Sequence, residues 1–338
     1  MTASQNERVT RKVQLAGGTT YTVSLPKEWA IEQGLEAGSS VYIEPHGDGS
    51  LLLHPQDQED EEREYVQVPI EGLNEIHVAR IIRAIYANGF QQIDLITAEE
   101  LTTDQRRCVR ETVGKLMGIE IMEETGTRIT LKNILDTSDI SLRQSVVRLK
   151  SVVLSMQRDA ITSFVEQNTE LARQGVITRE AEADRIFAMV SGYFHRTMTS
   201  YDAVDDLGLD RPTIFECYML AQHLERIADS AEDIANVVLQ MKQSPPSKLK
   251  TEIEQLGLDV TDVVRRAVDV TLGHEDLEAV FDTLEESEKI TEDLAALDQR
   301  MSNQIGLKDR WQLSILENLN RIVDNGIFIA EIAVQSAL

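Results

Sequence analysis

Three kinds of hydrophobic pattern follow one another along the 338-residue chain. In residues 9–55, apolar and polar side chains alternate in short runs, which is typical of strands. Gly17 and Gly18 predict a turn between the first two strands, Pro26 ends the second, and a short helix is predicted over residues 27–33. A hairpin then follows over residues 41–55. So little β-structure makes a marginal core, and dimerisation is a common remedy.

The second pattern begins after an acidic run, residues 56–64, that lacks apolar anchors and predicts a solvated linker. A strand is predicted over residues 65–70, followed by a helix over residues 74–88. That helix carries apolar residues at i, i+3, i+4 and i+7, namely Val78, Ile81, Ile82 and Ile85. A strand near 90–97, a helix over 102–117 and a pair of strands over 119–135 complete a small α/β domain, residues 65–136.

From Ser138 onward the pattern is that of long amphipathic helices. Turn-prone residues such as Gly175, Gly208 and the pair Pro245-Pro246 separate them. The predicted helices span 141–173, 177–204, 211–241, 246–272, 276–304 and 308–338. They form two three-helix units, residues 138–241 and 246–338, and together the elements predict a multidomain fold.

The two helical units are copies of one repeat. When the third and sixth helices are aligned at an offset of 95 residues, six of twelve positions are identical between LERIADSAEDIA, residues 224–235, and LNRIVDNGIFIA, residues 319–330. The second and fifth helices resemble each other more weakly, as EADRI at 182–186 and ESEKI at 286–290 show. A whole three-helix bundle is therefore the repeated unit.

The third and sixth helices each carry an apolar stripe that predicts a buried seam. Its members are spaced by three and four residues: Leu220, Leu224, Ile227, Ala231, Ile234 and Val238 in one helix, and Ile315, Leu319, Ile322, Gly326, Ile329 and Ala333 in the other.

Beside the first stripe, at about 100° per residue, a narrow arc carries Glu225, Asp229, Glu232 and Asn236. The equivalent arc of the sixth helix carries Asn320, Asp324, Ile327 and Glu331, so three of its four positions have oxygen donors. Carboxylate and amide oxygens suit hard cations. Spacing alone favours a solvated charged face, but the arrangement occurs twice, which favours a metal site.

Composition limits the partners and the compartment. A formal charge of −25 and a pI near 4.6 repel nucleic acid, so DNA contacts require a locally basic segment. An acidic, lysine-poor surface fits concentrated intracellular salt. With only Cys108 and Cys217, a disulfide framework is not expected. The sequence contains no run of about 18 apolar residues, so neither a signal peptide nor a membrane span is predicted. We expect a cytoplasmic protein without membrane insertion.

The sequence LAQHLERIADSAEDIANVV, residues 220–238, resembles the signature helix of the PhoU family, and residues 322–334 resemble a degenerate second copy. The resemblance covers residues 140–338. It implies an all-α pair of three-helix bundles that regulates phosphate uptake. It also implies that the bundles bind divalent or trivalent metal ions through a motif in which Glu or Asp is followed, after three intervening residues, by Asp. Glu225 and Asp229 match that motif, whereas Asn320 replaces the acid before Asp324; Glu331 is then a substitute ligand.

The N-terminal segment, residues 1–56, resembles the AbrB/SpoVT class of DNA-binding and dimerisation domains. Leu25-Pro26-Lys27-Glu28 and Gly34-Leu35-Glu36-Ala37-Gly38 carry the resemblance. It implies a swapped-hairpin β-barrel formed by a homodimer, here fused to PhoU-like bundles as in archaeal-type fusions.

The segment is also locally basic. Residues 1–30 hold four cations against Glu7 and Glu28, a balance of +2, and the predicted DNA contacts are those four cations: Arg8, Arg11, Lys12 and Lys27. The alternative is that these charges only protect strand edges from aggregation.

Catalytic motifs are missing from the sequence. The six histidines are scattered, and no phosphate-binding loop, nucleophile elbow or dinucleotide fingerprint occurs. We therefore expect no enzyme, although a metal-dependent hydrolase is a third alternative. The leading hypothesis is a dimeric, DNA-binding regulator of phosphate uptake. The runner-up is an adaptor that acts on a phosphate ABC transporter or a sensor kinase and uses its N-terminal domain only to dimerise.

Overall fold

The computed structural model describes residues 9–45, 49–55, 65–134, 141–199, 202–273, 277–302 and 311–336, so Arg8 lies outside the described residues. The chain divides into two compact units, residues 1–63 and residues 64–338. None of the helices in the described ranges is long and apolar enough to cross a membrane.

The N-terminal unit contains the predicted strands and short helix. Strands β1 (Gln14–Ala16) and β2 (Thr20–Thr22) form one antiparallel hairpin, helix α1 spans Lys27–Glu32, and β3 (Val41–Pro45) pairs with β4 (Leu51–Pro55) in a second hairpin. The described part of one chain holds these as two separate hairpins and not as a closed barrel. A swapped-hairpin barrel would need strands from a second chain.

The apolar side chains of this unit remain exposed. None of its residues with a described exposure is buried, and Tyr21 is 76% exposed. Large apolar side chains that are mostly solvent-exposed lie on every element: Val13, Leu15, Tyr21, Val23, Ile31, Tyr42, Ile43 and Leu51. Exposing this much apolar surface forfeits about 25 cal/mol per Å². The described residues of this unit therefore form no core of their own in a single chain.

The larger unit begins with the predicted α/β segment. Its elements are β5 (Tyr65–Pro69), α2 (Glu75–Ala87), β6 (Gln92–Ile96), α3 (Thr103–Val113), β7 (Ile119–Glu124) and β8 (Arg128–Asn133). The sheet order is β5-β6-β8-β7, with β5 parallel to β6 and the other neighbours antiparallel. Asn74 caps α2, and Thr102 with Gln105 forms a capping box on α3.

The sheet has a different chemistry on each side. Ile93, Leu95, Ile129 and Leu131 are buried in one apolar cluster with residues of α2 and α3. Asp94 is fully buried, and it accepts hydrogen bonds from Tyr65 and Thr130 and pairs with Arg128. A buried carboxylate is tolerated because these partners satisfy it.

Six long helices follow: α4 (Leu142–Glu166), α5 (Thr178–Thr199), α7 (Arg211–Gln240), α8 (Ser247–Gly273), α9 (Leu277–Ser302) and α10 (Trp311–Ser336), with the short α6 (Asp202–Leu207) between α5 and α7. The prediction that the first helix continues to residue 173 is wrong. Gln167 adopts a left-handed conformation (φ 56°) and ends α4, Asn168 caps a new turn, and a π-helix, Ala172–Ile177, leads into α5.

Both helical repeats share one continuous apolar core, to which all six long helices contribute. The predicted seams are confirmed, since every residue of the two seams other than Gly326 has a buried side chain. The repeats approach closely at Gly257 of α8, where an added Cβ would lie 2.6 Å from Ile161 Cγ1 of α4. The two bundles are therefore one packed body.

The α/β segment packs against helix α5. Gly89, which follows α2, has φ +79°, and a Cβ there would lie 2.3 Å from Arg196 Cγ and 2.8 Å from the carbonyl oxygen of Gly192. When the side-chain amide of Gln91 is placed in the orientation that satisfies its hydrogen bonds, Arg196 Nη1 donates to the amide oxygen of Gln91 at 2.9 Å. Only glycine permits this approach, because it combines a left-handed backbone with the absence of a side chain.

Candidate functional site

The arc beside the seam of α7 lies where the sequence places it. Glu225, Glu232 and Asn236 are partly exposed and Asp229 is exposed, while the neighbouring seam is buried. The buried seam therefore fixes the direction in which this row of oxygens faces, because the angle between neighbouring positions around a helix is fixed.

Helix α5 adds two carboxylates that sequence reasoning missed. Glu180 and Asp184 are four residues apart, and a hydrogen bond joins their side chains. Glu180 lies within electrostatic reach of Glu232 and Asp229, and Asp184 within reach of Glu225. We call these residues the acidic cluster: Glu180, Asp184, Glu225, Asp229 and Glu232. The available signal was the spacing, because Glu180-x-x-x-Asp184 repeats that of Glu225-x-x-x-Asp229.

Burial and mutual repulsion make the cluster hold protons. The pKa of Glu180 is raised to about 8, chiefly by burial and then by its hydrogen bond to Asp184. Burial also raises the pKa of Glu225 to about 7, with the charges of Asp229 and Asp184 adding to it and Arg226 opposing it. Partial loss of hydration also raises the pKa values of Glu232 and of the more exposed Asp229, with the charges of neighbouring carboxylates adding to it. A bound cation would relieve this repulsion.

The second repeat does not reproduce the cluster. In the alignment of the second and fifth helices, Leu284 is equivalent to Glu180 and Glu288 to Asp184. In the alignment of the third and sixth helices, Ile327 is equivalent to Glu232. Leu284 and Ile327 pack against the shared core. Asn320 turns its amide back to the carbonyl of Leu316 at 3.0 Å, which leaves a mixture of apolar, amide and acidic groups.

The remaining predicted ligands lie on helix α10. Asp324 is exposed, and Glu331 lines a groove with Asp210 and Phe328 near the start of α7. The electrostatic contacts described for the cluster involve residues of α5 and α7 and none of α10. The described contacts thus join Glu225, Asp229, Glu232 and Asn236 to one another or to α5. No such contact is described for Asn320, Asp324 or Glu331, and their role as ligands stays a prediction.

The cluster fits a hard cation by its chemistry, since every donor is an oxygen. In the described residues, however, no three His, Cys, Asp or Glu side chains converge in a geometry that could hold a metal ion. Side-chain rotation would have to draw the carboxylates inward. Glu180 can lie beside Asp184 without a cation because burial and its neighbour raise its pKa to about 8, and a protonated Glu180 adds no second negative charge.

The predicted DNA contacts belong to the N-terminal unit. Arg11 and Lys12 precede β1 and are exposed, and Lys27 begins α1 and is also exposed. Arg11 donates to the neighbouring carbonyl of Thr10 at 3.2 Å. These three cations are therefore accessible to phosphates.

Two family models match the chain. Residues 146–238 match the PhoU domain, and residues 14–61 match the MazE bacterial antitoxin model, described as antidote-toxin recognition. The chain thus carries a PhoU domain and a small β-rich domain of the MazE/AbrB kind at its N-terminus. The predicted family resemblances are confirmed.

Known proteins resemble the helical region. A curated relative from Thermotoga maritima, phosphate-specific transport system accessory protein PhoU homolog 2, is 25% identical over 138 residues, 41% of this chain, which spans 57% of that relative's length. The crystal structure of PhoU from Pseudomonas aeruginosa matches 58% of this chain and 95% of its own, with 19% identity and a TM-score of 0.50. That of the phosphate transport system regulatory protein PhoU from Streptococcus pneumoniae matches 57% and 91%, with 21% identity and a TM-score of 0.48. The likeness to the Pseudomonas aeruginosa structure supports the predicted helical fold.

Proposed function

We propose that the protein is a cytoplasmic regulator of phosphate uptake, not an enzyme, in which the N-terminal unit binds DNA and the helical unit responds to a cation or a protein partner. The observation that carries the proposal is the presence of a PhoU domain and a MazE-type domain in one chain. The relative from Thermotoga maritima is named an accessory protein of phosphate transport.

The N-terminal unit supports this proposal through its exposed apolar side chains. Leu15, Tyr21, Ile43 and Leu51 are each more than half exposed, and a second copy of the unit would cover them. A homodimer would also double the exposed cations, which matters because phosphate contacts add to affinity. We therefore propose that the DNA-binding form is the dimer.

DNA binding is tested by removing Arg11 and Lys12 together. The Arg11→Ala and Lys12→Ala variant is expected to bind promoter DNA of phosphate-transport genes about 100-fold more weakly at moderate salt, with a shallower salt dependence, because a dimer loses four phosphate contacts. Fluorescence anisotropy against salt concentration measures both effects. Light scattering on the same samples separates lost DNA contacts from a lost dimer.

The matched control for this variant removes two exposed cations from the helical unit, Arg80→Ala with Arg83→Ala on α2. If both double variants bind DNA as the unaltered protein does, the assignment of Arg11 and Lys12 is wrong. If the unaltered protein has no DNA affinity but retains phosphate-transport subunits in a pull-down, the adaptor function replaces the DNA-binding one. The name of the curated relative favours that second candidate.

Cation binding is tested by metal content. We propose that the acidic cluster holds a divalent or trivalent metal ion, with Glu225 and Asp229 as ligands from α7 and Glu180 and Asp184 from α5. Glu225→Gln with Asp229→Asn is expected to lose most of the metal found by elemental analysis, because amides are weaker ligands than carboxylates for hard cations. Glu120→Gln with Glu292→Gln, two exposed glutamates elsewhere, is the matched control and is expected to retain the metal; equal metal in all three proteins contradicts the proposal.

A further inference from the structure

A groove away from the acidic cluster lies between the first half of α7 and the last part of α10. It encloses about 550 Å³ and is lined by apolar and acidic side chains, among them Phe215, Met219, Phe328, Glu216 and Glu331. Phe215 is 49% exposed and Phe328 51% exposed. We call it the aromatic groove.

The aromatic groove continues a cluster of rings. Four of the seven phenylalanines of the chain lie on this side: Phe187, Phe194, Phe215 and Phe328. Tyr218 stacks on Phe194 with ring centroids 4.3 Å apart, and Phe328 stacks on His223 at 5.3 Å. Interior contacts hold these rings in place while leaving one face of Phe215 and Phe328 open. Half-exposed aromatic side chains suit a binding surface, because aromatic residues are enriched at protein interfaces relative to the rest of the surface.

Carboxylates surround the rings. Asp210 caps α7, Glu216 accepts a hydrogen bond from Ser336, and none of the described residues forms a hydrogen bond or ion pair with Glu331. Arg143 lies near Asp210 and offsets part of this charge. The balance remains acidic, because three carboxylates line the groove against one nearby arginine. The end of α10 favours positive charge and the start of α7 favours negative charge, so the acidic side chains decide the sign.

The dimensions fit a helix. Helices α7 and α10 run antiparallel here, because His223 contacts Phe328 while Glu216, closer to the start of α7, contacts Ser336. The lining extends from Asp210 to His223, a distance of about 20 Å along α7 at 1.5 Å per residue. A partner helix of about 14 residues has the same length.

We propose that the aromatic groove binds a basic amphipathic helix of a partner protein, with aliphatic residues between Phe215 and Phe328 and flanking arginines against Glu216 and Glu331. Guanidinium groups pair with carboxylates and stack on aromatic rings, so one basic residue can use both features of the groove. This inference does not depend on the proposed DNA-binding function.

The test uses a synthetic helical peptide of about 14 residues with leucines at i, i+4 and i+7 and arginines beside them. A matched peptide carries glutamate in place of every arginine. The full-length protein is expected to bind the arginine peptide, measured by fluorescence anisotropy at physiological salt. Phe328→Ala and Glu331→Lys should each weaken binding about tenfold, and the glutamate peptide should not bind.

The controls separate this site from general attraction to an acidic protein. Phe281→Ala removes a phenylalanine that is 55% exposed on α9, and Glu292→Lys reverses an exposed charge on the same helix. Both should bind the peptide normally. Phe215→Ala gives a second aromatic variant if Phe328→Ala disturbs folding, which circular dichroism detects.

Three binding results would overturn the proposal: equal weakening by the α9 controls, equal binding of the two peptides, or loss of binding in the Glu225→Gln and Asp229→Asn variant. A change of oligomeric mass caused by Phe328→Ala would assign the groove to a second copy of the chain and would also overturn it.

Discussion

Replacing Gly89 by alanine is expected to lower the free energy of unfolding of the larger unit by about 2–5 kcal/mol. About 1–2 kcal/mol comes from placing an alanine at a φ of +79°, and about 1–3 kcal/mol from the clash of its Cβ with α5. One clashing atom is the backbone oxygen of Gly192 at 2.8 Å, which cannot rotate away as a side chain can. Urea denaturation measures the loss, and faster proteolysis near residue 89 would localise it.

Gly72 provides the matched control, because its φ is +68° and a Cβ there meets nothing within 4 Å. Gly72→Ala should therefore cost only the backbone strain. Adding Arg196→Ala to Gly89→Ala should recover part of the stability by removing the nearest side chain. If Gly89→Ala is no more destabilising than Gly72→Ala, the α/β segment does not pack against α5 as described.

Raising the pH from 5 to 8 is expected to destabilise the protein through Glu180 and Glu225. Both titrate near 4.5 in the unfolded chain, whereas folding raises their pKa values to about 8 and about 7. Between these values the folded state binds more protons than the unfolded state. The stabilisation is therefore complete below about pH 4.5 and is lost as the pH rises through 7 and 8.

Glu180→Gln with Glu225→Gln should remove this part of the pH dependence. At pH 8 each change should raise the melting temperature by about 2 °C, a value limited by solvent screening of these partly exposed groups. Scanning calorimetry across the pH range measures the difference from the unaltered protein. Glu120→Gln with Glu292→Gln, two exposed glutamates elsewhere, is the control and should leave the slope unchanged.

The same experiment at pH 8 tests the proposed cation. A divalent ion at about 100 times its dissociation constant stabilises the folded protein by about 2.7 kcal/mol, because it binds the folded state alone. The unaltered protein should gain this stabilisation and the Glu180→Gln, Glu225→Gln variant should not. A pH slope shared by both proteins would show that the acidic cluster does not hold protons as described.

Hydrophobic periodicity predicted the elements of this fold well, because most of them bury a single face. The failure near residue 167 has a local cause. Glu166, Gln167 and Asn168 are polar and do not interrupt an apolar stripe, so the helix was extended through them. The signal that was overlooked is Asn168 before Thr169 and Glu170, an N-cap followed by an acid. The π-helix has no comparable sequence signal.

The candidate site was only half predictable. One helix gives the angular arrangement of Glu225, Asp229 and Glu232, but the partner side chains depend on how α5 packs beside α7. Glu331 shows the opposite error, since its position in the repeat matches Asn236 while its surroundings are those of the aromatic groove. A sequence repeat preserves the arrangement of side chains on one helix. It does not preserve the neighbours of those side chains, because they depend on how that helix packs against the others.

The single core shared by the two bundles has an evolutionary consequence. Deleting either copy would expose the apolar faces that its helices bury on the other copy. In the second copy, Leu284 and Ile327 pack against this core at the positions equivalent to Glu180 and Glu232. We infer that evolution retains both repeats for their packing, because neither can be removed without exposing the core of the other.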